Sequence, residues 1–337
     1  MNKQILLGHG SGGKLSHDLI IELFLKYFNN PTLNSQTDSA LLSVKSENIA
    51  FTTDSYVVDP IFFPGGDIGK LAVAGTVNDI AVSGAKPLFL SASFIIEEGL
   101  TLSDLTTIVK SMAEEAKKAG VIIVTGDTKV VNKGKCDKIF INTSGIGILN
   151  KKYKNISSGK NIKISDKIII NGTIGDHGMA ILSARNELNI KSNIISDCAC
   201  LNHLIKKALS VSSEIKFMRD ATRGGVATIL SELSENKNFG IQINESSVKV
   251  KEEVRGMCEI LGFDPLYVAN EGKVLIIVGR KDAEKVLKIL KQDKLGKDST
   301  IIGEIVDEHP GKSWSTTGIG GKRIIDMLAG EQLPRIC

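Results

Sequence analysis

The helix predicted over residues 68–84 narrows the fold more than any other stretch. It follows a stiff loop, Asp59-Pro60-Ile61-Phe62-Phe63-Pro64-Gly65-Gly66-Asp67, whose last residue is placed to cap it. Ala72, Ala74, Gly75, Ala81 and Gly84 stripe it with small residues, so a second backbone or a nucleotide can lie against it. The adjacent Asn78 and Asp79 are poor helix formers in this apolar setting. Hard-metal or phosphate chemistry would give them a reason to be there.

Around that helix the chain alternates strands and helices. Strand patterns cover residues 38–42, 47–58, 88–96 and 138–149. An amphipathic helix over 101–119 is closed by Gly120, and the apolar strand Val121–Val124 then ends in a turn, Gly126-Asp127-Thr128-Lys129. The lysine-rich residues 150–163 read as a boundary, and a second set of strands and helices follows. A chain of 337 residues exceeds what one core usually serves. The expectation is an α/β (α+β) protein with residues 1–35 as a glycine-rich flap and first helix, 36–152 as a first domain, 153–310 as a second α+β domain, and 311–337 as a flexible tail.

Composition excludes several classes. Hydrophobic residues at 42% and charged residues at 24% describe an ordinary soluble protein. The net charge of +4 comes from scattered lysines without a dense basic block, so nucleic acid is not indicated. The apolar runs are too short to span a membrane, and no signal-peptide pattern opens the chain. Five cysteines without disulfide or zinc spacing fit a reducing cytoplasm. Cys198-x-Cys200 reads as a buried pair near a helix start, because no partner pair follows to complete a metal site.

Several residues are candidates for chemistry. His9-Gly10-Ser11-Gly12-Gly13-Lys14 reads equally as a flexible leader or as a flap whose bare N–H groups wrap an anion. Asp54, at the end of an apolar strand, is either a ligand group or a turn cap. Asp127 can hold a cation and Lys129 can reach a phosphate. Gly175-Asp176-His177-Gly178 resembles an anion site at a helix start, with His177 reading as a capping residue before a ligand. Arg219-Asp220-Ala221-Thr222-Arg223-Gly224-Gly225 suits an anion or an interdomain ion pair. Glu271 reads locally as a solvated loop residue. Cys337, the last residue, is either an accident of a loose end or a nucleophile on a mobile arm, since residues 308–321 are rich in Gly, Ser, Thr and Lys.

Taken in order, these motifs resemble the HypE family, the carbamoyl dehydratases of nickel–iron hydrogenase maturation, from about residue 8 to the end. His9–Lys14, Thr53-Asp54-Ser55, Phe63–Gly69, Gly75–Asp79, Gly126–Lys129 and Arg219–Gly225 are shared with the wider superfamily of aminoimidazole-ribonucleotide synthase and selenophosphate synthetase. The terminal Pro334-Arg335-Ile336-Cys337 is particular to HypE. A selenophosphate synthetase usually carries cysteine or selenocysteine in the first glycine loop, where this chain has Ser11. The resemblance implies a two-domain, aminoimidazole-ribonucleotide-synthase-like subunit. It would form a homodimer through its first domain, with ATP in clefts at the interface. It implies Mg²⁺ on Asp38, Asp54, Asp79 and Asp127. It implies nucleotide contacts from Gly12, Gly13, Lys14, Asp54, Asp67, Asn78, Asp127 and Thr128, and chemistry involving Cys337, Glu271, Lys129 and Asp79. It implies HypF as the partner that loads the tail and a HypC–HypD complex as the cyanide acceptor.

Overall fold

The structure is a computed structural model that describes residues 4–11, 13–37, 39–46, 48–185, 192–327 and 335–337. It is built on two sheets. The first half opens with α1 (Gly13–Leu19), which runs through a π-helical stretch, Ile20–Leu25, into α2 (Lys26–Phe28), and then α3 (Pro31–Asn34). There follow β1 (Ile49–Tyr56), the small pair β2 (Phe62–Phe63) and β3 (Gly66–Asp67), and α4 (Ile68–Val82). Then come β4 (Ala85–Glu97), α5 (Leu102–Ala119), β5 (Ile122–Val131) and β6 (Ile139–Leu149). Four strands form a sheet in the order β1-β6-β4-β5, antiparallel except for the parallel pair β4–β5.

The second half has β7 (Lys167–Ile170), α6 (Asp176–Ala184), α7 (Asn202–Val211), β8 (Ile215–Asp220), α8 (Gly225–Ser234) and β9 (Gly240–Asn244). After these come α9 (Glu252–Leu261), β10 (Val274–Val278), α10 (Ala283–Lys291), β11 (Thr300–Val306), β12 (Ser313–Thr316) and β13 (Lys322–Ile325). Its strands make a seven-stranded sheet in the order β13-β12-β9-β11-β7-β10-β8. Among the described residues no helix is long and apolar enough to cross a membrane.

The helix that leads the sequence argument is the central one. The Asp67 carboxylate accepts from the N–H groups of Gly69 (2.7 Å) and Lys70 (3.1 Å), as a capping residue should. Within α4 only Lys70 and Asp79 escape full burial. It packs against β1, β4 and β6 on one side, α5 on another, and α7 and β8 of the second half on a third. Small side chains are what allow three close neighbours. The largest buried cluster accordingly crosses the halves: Leu71, Val73 and Val77 of α4 and Leu105, Ile108 and Met112 of α5 join Met179 and Ile181 of α6 and Val254 of α9. Helix α5 starts on Thr101, whose hydroxyl accepts from Asp104 N–H, and stops at Gly120 in the left-handed conformation (φ 74°).

Three expectations are corrected. No strand forms over residues 39–42. Val121–Val124 does not end in a turn, because β5 continues to Val131 through Asp127 and Lys129, held in parallel register by the long β4 (Ser93 opposite Asp127, Glu97 opposite Val131). The segment after residue 311 is not a loose arm throughout: β12 pairs with β9 and with β13, and Ser313, Trp314 and Ser315 are buried. A composition rich in Ser, Thr and Gly suggested mobility. Strand pairing overrides it, and the Ser313 hydroxyl is spent on Ile325 O (2.8 Å).

Trp314 is 3% exposed. Trp314→Ala should therefore destabilise the protein by about 3–5 kcal/mol, read from the denaturant midpoint. A residue on a mobile arm would give no measurable change.

Candidate functional site

Four carboxylates meet where the two halves face each other. Asp54 sits on β1 with its side chain on the α4 face, where the Thr76 hydroxyl reaches it at 3.4 Å. Asp79, one turn along α4 from Thr76, accepts from the Thr52 hydroxyl at 2.8 Å. Asp220 ends β8, and Glu271 lies just before β10; both are buried. Their mutual repulsion is visible in their ionisation. Burial, with Asp79 alongside, raises Asp54 to about 6 from the ordinary 3.8. Burial, with Asp79 and Asp54 nearby, raises Asp220 to about 7. Burial first, then Asp220, Asp197, Asp54 and Asp79, pushes Glu271 well above the usual range. Arg223, in the turn after β8, is the cation that offsets Asp54.

Glu271 Oε1 is buried and has no hydrogen-bond partner. An unpartnered buried carboxyl oxygen inside an all-carboxylate set suits a hard divalent cation. Among the described residues no three His, Cys, Asp or Glu side chains are close enough to share one ion. The set therefore fits a cation bound by one or two carboxylates plus phosphate and water, and does not fit an all-protein cage.

The loop 196–201 fixes Glu271 in place. Asp197 is enclosed, and its carboxylate accepts from Glu271 N–H and Gly272 N–H (both 3.1 Å) and from Lys273 Nζ (2.8 Å). Burial opposes its ionised form, but Lys273 and these donors hold its carboxyl below the usual range. Gly272 allows the contact: a Cβ there would stand 1.9 Å from Asp197 O. Asn78 secures the same loop from α4, donating to Ala199 O (3.1 Å) and accepting from Leu201 N–H (2.7 Å).

A second group lies elsewhere. Lys129 Nζ pairs with Asp127 at 2.8 Å, and that hydrogen bond lowers the Asp127 pKa. The glycine loop rests on this part of β5; a Cβ at Gly10 would stand 2.2 Å from Val130 N. A cavity of about 310 Å³ opens here under α1 and α2, lined by Gly10, Ser16, Phe24, Phe94 and Gly126 to Lys129. Gly13 and Lys14 start α1, with Lys14 exposed and paired to Asp18.

The proposed ligand sets divide accordingly. Asp54 and Asp79 come together, with Glu271 beside them. Asp127, Thr128 and Lys129 do not join them, so the set Asp54, Asp79 and Asp127 is not gathered within one chain. Asp54 and Asp127 occupy opposite edge strands, roughly 14 Å apart at normal strand spacing, and opposite faces of the sheet. Asp67 is a helix cap and Asn78 a clasp for the loop, so both are occupied structurally. Asp38 and Gly12 lie outside the described residues, as does Pro334. Sequence reasoning missed Asp197, whose partners lie more than 70 residues on, and left Asp220 inside a motif without a role.

The C-terminus is seated on the segment that follows β1. Cys337 O accepts from Val57 N–H (3.1 Å) and Arg335 O from Asp59 N–H (3.2 Å), just past the end of β1. Ile336 is 3% exposed, and Arg335 Nη1 meets Asp137 at 2.8 Å. Cys337 is half-buried against the main core.

The raised acids fix a pH dependence. The folded protein holds protons on Asp54 and Asp220 that the unfolded chain releases near pH 3.8, so their contribution is full below about pH 4 and is lost as pH rises through about 6 and 7. In chelator, thermal stability should decline over that window. Asp54→Asn should flatten the decline; a variant that follows the parent curve would show that the repulsion is not there.

Residues 36–149 match the N-terminal domain of the AIR synthase related proteins, and residues 163–314 match their C-terminal domain. Carbamoyl dehydratase HypE of Rhodobacter capsulatus is 47% identical, covering 100% of this chain and 99% of its own. A hydrogenase maturation protein HypE solved in complex with ATP superposes with a TM-score of 0.93 at 47% identity, over 98% of this chain and 99% of that one. The HypE solved in a HypE–HypF complex is 54% identical, with a TM-score of 0.80 over 92% and 99% of the two chains. Full-length identity at this level, over the same two domains and fold, makes the chain a member of the HypE family of carbamoyl dehydratases of hydrogenase maturation.

Proposed function

We propose that the protein dehydrates a carbamoyl group carried on its own Cys337 thiol, using ATP, and so forms a thiocyanate that supplies cyanide for the iron of nickel–iron hydrogenase. The observation that carries this reading is the seated C-terminus. Its last residue is hydrogen-bonded at Val57, three residues past Asp54 in the segment that leaves β1.

The reaction follows from what an amide needs in order to become a nitrile. Hydroxide leaves poorly, so the carbamoyl oxygen first attacks the γ-phosphorus of ATP, releasing ADP, while nitrogen loses one proton. The C–O bond then breaks with loss of phosphate as the second N–H proton leaves, and the C≡N bond is complete. Glu271 takes a proton from nitrogen. Burial, with Asp220 and the other carboxylates nearby, pushes its pKa up, which strengthens its ionised form as a base. Lys129 neutralises phosphate oxygens. Mg²⁺ would sit on Asp54 and Asp79 and supply charge neutralisation to phosphoryl transfer. The relative solved with ATP supports the nucleotide. The HypE–HypF complex of a relative supports HypF as a partner; in this reading HypF loads Cys337 and a HypC–HypD complex receives the cyanide.

The separation of Lys129 from Glu271 supports a homodimer. The sheet face turned away from α4 carries an apolar row across all four strands, Phe51–Ile146–Phe89–Ile122, and Phe51 is 65% exposed. A parallel polar row, Ser55–Asn142–Ser93–Asp127, leads along the same face to Asp127. Pairing two copies through this face covers the apolar row and packs one copy's Asp127 and Lys129 against the sheet of the other.

Three outcomes test the reading. Carbamoylated protein given Mg-ATP should lose one water mass from its C-terminal peptide, and Glu271→Gln should slow that loss by about a hundredfold or more; a wild-type peptide of unchanged mass sinks the reaction. Phe51→Glu should sediment as a monomer and lose turnover. Mixing the inactive Glu271→Gln and Lys129→Ala variants should restore activity, because a mixed dimer holds one intact site; failure to complement would place both residues in a single-copy site.

A further inference from the structure

The geometry points to His177 as a positioning residue: its imidazole seats the C-terminal tripeptide, and it does so as one end of a hydrogen-bonded chain whose other end fixes Glu271. This rests on the tail-carried substrate proposed above.

The tail is held from two sides. Toward β1, the carbonyls of Arg335 and Cys337 accept from Asp59 and Val57 N–H. The intervening Ile336 carbonyl turns the other way, toward α6. Ile336 is 3% exposed, so this oxygen needs a donor from the protein. His177 Nε2 supplies it at 2.8 Å. A carbonyl only accepts, so the ring hydrogen is on Nε2, and Nδ1 must accept from the Ser196 hydroxyl, also at 2.8 Å. Ser196 Oγ in turn accepts from Cys198 N–H (3.1 Å). The imidazole is fully buried and meets the Phe63 ring edge to face at 5.5 Å, so neither tautomer nor orientation is free.

The next residue along the loop is Asp197, whose carboxylate holds the N–H groups of Glu271 and Gly272. Ala199 N–H closes the contact on Glu271 O at 3.3 Å. A tail residue and the proposed base are thus fixed by one short loop. The tail has other anchors: Arg185 Nη2 donates to Arg335 O at 2.9 Å, and the Arg335–Asp137 pair is on the surface, with side chains 36% and 56% exposed. A side chain that acts through the backbone of Ile336 touches no reacting atom, which makes its role positional.

Two variants separate seating from folding. His177→Ala removes the donor; His177→Gln keeps an N–H at similar reach. Each full-length protein is treated with N-ethylmaleimide and its cysteine peptides are followed by mass, with buried Cys258 reporting general opening. The expected result is Cys337 alkylation about tenfold faster or more in His177→Ala, near-parental in His177→Gln, and Cys258 unchanged in both. Dehydration of the carbamoylated tail should fall in His177→Ala with ATP affinity retained, and recover in His177→Gln. Unchanged Cys337 reactivity in His177→Ala would overturn the assignment, and so would a rise matched at Cys258. Alkylation needs neither carbamoyl group nor ATP. Faster Cys337 labelling beside a wild-type protein that never dehydrates its tail would leave the seating intact and reject the function.

Discussion

The site depends on a clasp. Residues 196–201 have no regular structure of their own, yet they are held from both halves of the molecule. Asn78 on α4 binds Ala199 O and Leu201 N–H, and Asp197 binds the backbone around Glu271. An Asn in a buried, apolar helix is tolerable only because its amide is fully used. An enclosed Asp keeps its charge only because Lys273 and two N–H groups face it. Removing either partner would leave a buried polar group unpaired, which costs more than the bond itself is worth. The clasp therefore locks the second sheet against α4, and Glu271 inherits its position from that lock.

Much of the scaffold was legible. Asp67 announces its helix as a cap, Gly120 closes α5, and the apolar spacing of α5 states its inward face; all are local signals and all hold. Where strands pair, local signals fail. Gly126 and Asp127 read as a turn, but a parallel neighbour of matching length keeps them extended. Ser313 and Ser315 read as part of a mobile arm, but the first hydroxyl bonds Ile325 O across the sheet and the second bonds the Glu245 carboxylate just past β9.

The candidate site divides along the same line. Asp54 and Asp79 stand out because each is an acid in an apolar element. Glu271 does not: its local pattern is that of a solvated loop, and its burial comes from the loop laid over Gly272. Asp197 has no signature, since its partners are backbone groups 74 and 75 residues away. The cysteines on either side drew attention instead, and both are enclosed, with burial pushing their thiols well above the usual range. In the pair Asn78-Asp79 the first residue clasps the loop 199–201 and the second joins the acidic group. The first is structural, and the poor helix propensity of both reflects two different demands.

A nucleophile at a chain end is useful only if something presents it, and composition alone suggested that nothing did. The backbone of Val57–Asp59 and the imidazole of His177 present it together, one from each half of the molecule. Seating the tail therefore requires the halves to be in their locked arrangement, which is also the arrangement that buries Glu271 among Asp54, Asp79 and Asp220. On the proposed function this coupling is useful: a substrate carried on Cys337 would find its seat only when the acids are assembled. On the same reading, the burial that raises those acids would keep water from a phosphorylated carbamoyl group.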